Sequence, residues 1–230
     1  MLSILNADDY VPRTIYDIVY HSDKSREAIE EIVEGHIPFP SAGKNGILLW
    51  GVWGTGKTQT AKILPDAIEQ RLTGREAYVH FISVKANGTG LAIIKEIEQI
   101  TDRECQSYAS YHYIILDEVD LLGKEGMESL KAVMNKPRTF FIMTTNNLPK
   151  VERGVLNRSV LVEFNKAPAT AWLPLVRRVC NDAGVSITDE SAVIDFIDKC
   201  DGSAREILIS TFRFIRKVRA SQSIGTLQSA

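Results

Sequence analysis

The sequence predicts an α/β fold with a parallel sheet, followed by a smaller all-helical part. Five short apolar runs alternate with helical patterns up to about residue 167, and from Pro168 onward only helical patterns occur. Strands of a parallel sheet are covered on both faces, so they read as short continuous apolar runs separated by helices. We therefore predict one domain at residues 1–167, a helical domain at 168–220 and a flexible tail at 221–230.

The individual elements follow from apolar runs and from residues that begin and end helices. Ser22 and Gly35 are a typical N-cap and stop for a first helix at 25–34. Each predicted strand is a short apolar run: 47–50, 78–83, 113–116, 140–144 and 160–164. In the other predicted helices, the spacing of the apolar residues places them on one face, which can pack against the sheet or another helix. These helices are 58–72, a helix ending near 100, 125–135, 172–181, 189–199 and 204–218.

The composition is typical of a globular protein and gives no sign of a membrane protein or of a strongly basic nucleic-acid-binding protein. The 230 residues are 44% hydrophobic and 24% charged, and the net charge is −2. These values are ordinary for a globular protein and give no overall positive field for nucleic-acid binding. Three cysteines lie far apart without metal-ligand spacing, as expected for reduced thiols in a cytoplasmic protein. We expect no membrane span and no secretory signal, because no apolar run is long enough and the N-terminus lacks a basic region.

A complete phosphate-binding motif follows the first predicted strand. Residues 51–58 read Gly-Val-Trp-Gly-Thr-Gly-Lys-Thr and fit the P-loop pattern GxxxxGK[ST] between a strand and a helix. Such glycines let backbone N–H groups surround phosphates, and the helix N-terminus adds positive potential. We expect Lys57 at the terminal phosphates of ATP and Thr58 at Mg²⁺. The other expected ATP contacts in this segment are Gly51, Gly54, Thr55, Gly56 and Gln59.

Polar residues follow the third and fourth predicted strands. Asp117 and Glu118 end the third strand, and the carboxyl ends of parallel strands share one edge of the sheet. We expect Asp117 in the magnesium shell and Glu118 as the base that orients or deprotonates the attacking water; a solvated acidic turn is the alternative. Thr144, Thr145 and Asn146 follow the fourth strand, where a short polar side chain can position water, although Asn146 alone is typical of a turn.

The order of these motifs resembles the AAA+ ATPases, most closely the clamp-loader branch with its replication factor C small subunits. The resemblance covers about residues 11–218. It is carried by the two motifs above together with four other stretches: Pro-Arg-Thr-Ile-Tyr-Asp-Ile-Val at 12–19, Leu-Lys-Ala-Val-Met at 130–134, Asn-Arg-Ser at 157–159 and Gly-Ser-Ala-Arg at 202–205. It implies a P-loop AAA+ nucleotide-binding domain with a helical lid, and hydrolysis of ATP with Mg²⁺.

The resemblance also implies roles for residues outside the two motifs. Asn146 corresponds to the residue that senses the γ-phosphate, and Arg158 corresponds to the arginine finger that acts on ATP bound by a neighbouring subunit. Arg205 corresponds to the arginine that reaches the γ-phosphate from the lid. Val11 and Pro12 correspond to a segment near the adenine. Without the resemblance, both arginines would be read as surface charges.

The implied function is that of an oligomeric ATPase that loads or remodels a DNA-bound partner such as a sliding clamp, in replication or repair. Met127 stands where many clamp loaders carry the Gln that couples DNA to hydrolysis, and we expect no counterpart of the clamp loaders' collar domain in residues 221–230. Two alternatives therefore stay open: a nucleotide-dependent adaptor, in which ATP controls oligomer or partner binding, and a helicase- or transposase-type loader. The last helix has a basic side that is either solvated or a surface for DNA or a partner: Arg213, Arg216, Lys217 and Arg219.

Overall fold

In a computed structural model, the chain forms two compact units, each with its own apolar core. The structure describes residues 5–85, 90–187 and 189–227, with side chains up to residue 220. The sheet unit consists of residues 13–18 and the described part of 22–165, and the helical unit consists of 5–12, 19–21 and the described part of 166–227. Within these ranges, no helix combines the length and apolar character needed to cross a membrane.

The sheet has five parallel strands in the order β2-β3-β4-β1-β5. All five lie where the sequence predicts them: β1 (Gly46–Trp50), β2 (Val79–Ser83), β3 (His112–Asp117), β4 (Thr139–Thr145) and β5 (Ser159–Glu163). Residues 113–116 and 139–145 are buried throughout, because helices cover both faces of a parallel sheet. The strands share one direction, so the residues that follow β1, β3 and β4 emerge at the same edge.

Among its described residues, the sheet unit has five α-helices: α1 (Asp23–Val33), α2 (Lys57–Thr73), α3 (Gly90–Thr101), α4 (Gly123–Val133) and α5 (Arg153–Asn157). Ser22 caps α1 as predicted, since its hydroxyl accepts a hydrogen bond from Ser25 N at 3.3 Å. Gly35, with φ of 76°, follows the end of this helix. The sequence did not predict α5, because five residues are too few to show a helical period.

In the part of the helical unit that the structure describes, there are three α-helices: α6 (Ala169–Asp182), α7 (Glu190–Asp198) and α8 (Ala204–Leu227). They pack around a core that includes Trp172, Val179 and Ile207. Helix α8 continues beyond Val218, where the pattern predicted its end, to Leu227. Gly225 is the weak helix former in this extension, but a glycine costs a helix only about 1 kcal/mol. The predicted tail at 221–230 therefore begins as helix, and residues 228–230 lie outside the described residues.

The N-terminal segment packs within the helical unit, which the predicted boundary at residue 167 did not anticipate. Tyr10 is 7% exposed, and its hydroxyl donates to Asp182 Oδ2 at 3.0 Å. Arg178 lies 5.2 Å from the centre of the Tyr10 ring and donates to Asp9 O at 2.6 Å. Burial and the bond to Asp182 raise the pKa of Tyr10 to about 12, so its hydroxyl stays a neutral donor. Four residues from two distant segments make this contact, and no local pattern signals it.

A buried hydrogen-bond network holds the C-terminal half of α2 against the start of β3. Glu69 is fully buried and accepts hydrogen bonds from Tyr113 Oη at 2.9 Å and Ala109 N at 2.7 Å. Burial and the neighbouring carboxylate raise the pKa of Tyr113 far above its usual value, so the phenol donates. Helix α2 begins at Lys57 in the candidate phosphate loop, so this network fixes the far end of the helix that carries the loop.

We predict that Tyr113→Phe lowers the free energy of unfolding by about 1–3 kcal/mol, because it leaves a buried carboxylate oxygen of Glu69 without a donor. Urea denaturation followed by circular dichroism measures the change. Tyr111→Phe is the matched control: its ring also packs on Phe140, at 4.9 Å, but its hydroxyl has no hydrogen-bond partner among the described residues. Equal stability of the two variants would contradict the role given to Tyr113.

Candidate functional site

The loop between β1 and α2 has the shape of a phosphate cradle. Gly51 has φ of 139° and Gly56 has φ of 94°, which L side chains rarely adopt. A Cβ on Gly51 would lie 2.3 Å from Phe164 O. Thr55 Oγ1 lies 2.9 Å from Val52 O and 3.0 Å from Phe164 O, so its proton ties the loop to the end of β5. The loop is therefore fixed before any ligand is bound, with its N–H groups near the N-terminus of α2.

Lys57 is buried beneath this loop. Its side chain is 7% exposed, and Nζ donates to Gly51 O at 3.0 Å and Val52 O at 2.5 Å. Burial lowers the pKa of Lys57 to about 8, and the carboxylates of Asp117, Asp120 and Glu118 oppose this shift. A buried ammonium whose hydrogen bonds go to neutral carbonyls is well suited to a polyanion, because a bound phosphate would stabilise its charge.

Thr58 and Asp117 bring the candidate metal ligands into contact. Thr58 Oγ1 donates to Asp117 Oδ1 at 2.8 Å. Mg²⁺ binds oxygen and usually takes only one or two ligands from the protein, beside phosphate oxygens and water. A hydroxyl and a carboxylate at the edge of a phosphate loop fit this requirement. In the described parts of the chain, no group of three His, Cys, Asp or Glu side chains could hold a cation by itself.

Glu118 turns the chain away from β3 in an unusual backbone conformation. Its φ of 61° and ψ of 49° lie in the left-handed region, which costs a residue with a side chain about 1 kcal/mol or more. Two hydrogen bonds hold it there: Glu118 N donates to Thr144 Oγ1 at 3.0 Å, and Glu118 O accepts from Leu121 N at 3.0 Å. The side chain is exposed, so its carboxylate is accessible beside Asp117.

The residues after β4 lie at the same edge of the sheet. Asn146 is exposed and directly follows β4, the neighbour of β3. Thr144 Oγ1 donates to Asp117 Oδ1 at 2.7 Å, and Thr145 Oγ1 donates to Asp120 Oδ1 at 2.6 Å. The sequence indicated a short polar side chain here that positions water. It did not reveal that both threonines bind the acidic segment, residues 117–120 after β3. That contact depends on which strands are neighbours.

Arg158 lies at the opposite end of the sheet. Its carbonyl accepts from Gly46 N at 3.0 Å at the start of β1, whereas the phosphate loop follows the end of β1. Five residues of strand separate these points by about 16 Å. The guanidinium donates to Asn135 Oδ1 and Gly154 O, both at 3.0 Å. The structure therefore does not bring Arg158 to the phosphate loop of its own chain.

The remaining candidates are divided between the two units. Gln59 is half-buried in the first turn of α2, beside Thr58. Val11, Pro12 and Arg205 belong to the helical unit, and Arg205 is exposed in the first turn of α8. Their expected contacts with ATP remain predictions.

Residues 47–165 match the sequence family described as "ATPase family associated with various cellular activities (AAA)". Among individual proteins, the chain is 24% identical over 188 residues to replication factor C small subunit 2 of Pyrobaculum islandicum, covering 80% of this chain and 55% of that protein. It is also 24% identical over 217 residues to the replication factor C large subunit of Methanosarcina mazei, covering 90% of this chain and 33% of that one. The chain thus spans about half or less of these relatives.

Solved structures with a similar fold include the RuvB Holliday junction branch migration motor of Thermotoga maritima. The TM-score is 0.66 at 15% identity, covering 94% of this chain and 67% of that chain. The PCH-2 structure of Caenorhabditis elegans has a TM-score of 0.62 at 16% identity, covering 85% and 63% of the two chains. At these identities, the similarity concerns the fold, and it agrees with the parallel sheet and helical unit described above.

We predict that ATP affinity weakens above pH 8. A triphosphate bound at Lys57 would stabilise the charged form of this side chain and so raise its pKa from about 8. Binding then takes up about half a proton at pH 8, and the dissociation constant rises up to about tenfold per pH unit above that value, with little change below pH 7. Titration calorimetry in buffers of different ionisation enthalpy measures the uptake.

Lys57→Arg is the control for this experiment, because a guanidinium stays protonated throughout the range. Its binding should be independent of pH between 7 and 9, whatever its affinity. Wild-type binding without proton uptake at pH 8.5 would contradict the assignment of Lys57 to the phosphates.

Proposed function

Because the chain belongs to the AAA family of ATPases, we propose that it binds ATP and Mg²⁺ at residues 51–58 and hydrolyses the ATP with Glu118 as the base. The observation that carries this proposal is the contact between Thr58 and Asp117 beside the buried Lys57, with the accessible Glu118 next to it. These are the oxygen ligands, the cation and the base that phosphoryl transfer to water requires.

Each residue then has a separate task. The backbone N–H groups of the loop and the Lys57 ammonium hold the β- and γ-phosphates, and Thr58 and Asp117 hold the metal. Bound Mg²⁺ neutralises charge on the phosphate oxygens. Glu118 accepts a proton from a water whose oxygen forms a bond to the γ-phosphorus as the bond to the β-phosphate oxygen breaks, which releases ADP. Asn146 orients this water by a hydrogen bond.

Arg158 serves the site of another subunit in this proposal. It lies about 16 Å along β1 from its own phosphate loop, so the loop that it approaches belongs to a neighbouring chain. A surface with Arg158 on one chain and a phosphate loop on the next is a head-to-tail contact, which produces a ring or a helix of subunits. An arginine supplied in this way contributes about 10³–10⁵ to the rate in other P-loop enzymes.

The wider activity that we propose is clamp-loader-like: an oligomeric ATPase that loads or remodels a DNA-bound partner such as a sliding clamp. The similarity to proteins named as small and large subunits of replication factor C supports it. Free cysteines at 105, 180 and 200 suit the reducing cytoplasm, where we place the protein.

Direct contact with DNA has less support among the described side chains. Met127 is 3% exposed and packs in the core of the sheet unit, so it cannot present a side chain to DNA. On α8, Arg213 lies 3.6 Å from Glu206, and Arg219 donates to Ala183 O. Of these observations, the burial of Met127 favours the alternative function of a nucleotide-dependent adaptor, in which ATP controls binding between proteins, whereas Arg216 and Lys217 on α8 are exposed.

Glu118→Gln separates the two functions. In an ATPase that loads or remodels a partner, we expect hydrolysis to fall by about 10²-fold or more while ATP affinity stays within about threefold, because only the base is lost. Phosphate release and nucleotide binding measure these quantities, and size-exclusion chromatography with light scattering detects an ATP-bound assembly that no longer dissociates.

The exposed Glu128→Gln is the matched control. A Glu118→Gln protein that hydrolyses ATP normally would exclude Glu118 as the base, and one that assembles and dissociates normally without hydrolysis would favour the adaptor.

Mixing two inactive variants tests the role of Arg158. Arg158→Ala keeps the phosphate loop, and Lys57→Ala keeps the arginine, so each should be inactive alone. An equal mixture should recover about a quarter of the wild-type rate, because half of the subunits carry an intact loop and half of those face an intact arginine. Arg153→Ala, which removes an exposed arginine five positions earlier, is the control and should remain active. No recovery in a mixture that assembles would show that Arg158 does not act between subunits.

A further inference from the structure

We propose that Thr144 is a positioning residue for hydrolysis: its hydroxyl holds Glu118 in the backbone conformation from which the carboxylate acts as a base. This inference rests on the proposed function, because it gives Thr144 a task in the same reaction. It differs from the role that the sequence suggests for a short polar residue at this point, since the Thr144 hydroxyl bonds to Asp117 and to the backbone of Glu118.

The direction of each hydrogen bond at Thr144 is fixed by chemistry. A hydroxyl has one proton to donate and lone pairs that accept. Asp117 Oδ1, at 2.7 Å, accepts the proton, and Glu118 N, at 3.0 Å, donates to a lone pair. One hydroxyl therefore joins a candidate metal ligand to the backbone of the candidate base. Thr144 is 2% exposed, so water does not compete for these bonds.

Glu118 depends on this hydroxyl because it has left the strand. The ladder between β3 and β4 pairs Leu116 with Met143, and the chain then turns at Glu118 into the left-handed region. Its N–H donates to the Thr144 hydroxyl, where a strand residue would donate to a carbonyl of the neighbouring strand. The left-handed conformation of Glu118 costs about 1 kcal/mol or more, and this hydrogen bond compensates for part of that cost. Loss of the bond would therefore make the conformation less stable.

Asp117 is oriented by the same contact. Its Oδ1 accepts two hydrogen bonds, from Thr58 Oγ1 at 2.8 Å and from Thr144 Oγ1 at 2.7 Å. A carboxylate oxygen has two lone pairs, so these two hydroxyls can satisfy Oδ1, and Oδ2 would be the oxygen that enters the ligand shell of the metal. Loss of Thr144 leaves the Thr58 contact in place, so metal and ATP binding should survive while the base is displaced.

The side chain at this position is also stiff. Thr144 lies one residue before the end of β4, a strand paired on both sides, with Leu49 opposite it on β1. A β-branched side chain in a strand has few χ1 rotamers, so the hydroxyl is held in one direction. Serine supplies the same hydroxyl with more freedom, and valine supplies the same shape without it.

The experiment compares Thr144→Val and Thr144→Ser with wild type. For the valine variant we expect kcat to fall about 10²-fold, the typical effect of moving a catalytic group by about 1 Å, with the ATP dissociation constant changed by less than about threefold. The serine variant should stay within about threefold of wild type. Thr139→Val is the matched control, since Thr139 is on the same strand, is 1% exposed and donates only to Pro137 O, at 3.1 Å.

A double-mutant cycle with Glu118→Gln shows whether Thr144 acts through Glu118. If it does, adding Thr144→Val to the Glu118→Gln protein should leave the residual rate unchanged within about twofold, because the base is already absent. A hydroxyl that supports the fold or the metal would lower the residual rate by the same factor as in wild type. Circular dichroism and thermal melting confirm that each variant is folded, and Thr144→Ala replaces the valine variant if valine does not fold.

The outcomes distinguish this inference from the proposed function. Wild-type protein that hydrolyses ATP in a Lys57-dependent manner, with an unchanged kcat in Thr144→Val, would overturn the role of Thr144 alone. The same is true if the serine variant loses as much activity as the valine variant, or if ATP binding falls in parallel with kcat. Wild-type protein that does not hydrolyse ATP would overturn the proposed function, and this inference with it.

Discussion

Parallel pairing of β4 with both β1 and β3 is the constraint on which the candidate site depends. It brings the phosphate loop after β1, the acidic segment after β3 and the polar residues after β4 to one edge of the sheet. At that edge Thr58 and Thr144 share a single carboxylate oxygen of Asp117, at 2.8 and 2.7 Å. Three segments that are distant in sequence therefore meet at one atom, and a slip of one residue between any two strands would separate them.

Helix α2 is held at both ends, which makes the loop at its start a fixed structure. At the N-terminal end, Lys57 binds carbonyls of the loop, and Thr55 ties the loop to the end of β5. Towards the C-terminal end, the buried Glu69 is bonded to Tyr113 on β3. A cradle that is already ordered loses little conformational entropy when it binds phosphates. The same rigidity keeps Lys57 under the loop, where burial lowers its pKa.

The sequence predicted those parts of the molecule that have a local pattern. The strands are apolar runs. The phosphate loop is a contiguous motif, and the strand before it and the helix after it were both recognisable. What it could not predict depends on contacts between distant residues. Thr144 was recognisable only as a polar residue after a strand, because its bonds to Asp117 and Glu118 require the strand order. The packing of Tyr10 in the helical unit likewise depends on Asp182 and Arg178, far along the chain.

In the proposed function, one subunit both uses and supplies a catalytic group, and the direction of the sheet sets the distance between the two. The acidic segment leaves β3 at the carboxyl edge and continues into α4, whose 11 residues run back across the sheet. Just beyond that helix, Asn135 accepts a hydrogen bond from Arg158 at 3.0 Å. A helix of this length spans about 16 Å, close to the length of a five-residue strand. Helix α4 thus separates the candidate site from Arg158, so the proposed contact between subunits must be directional.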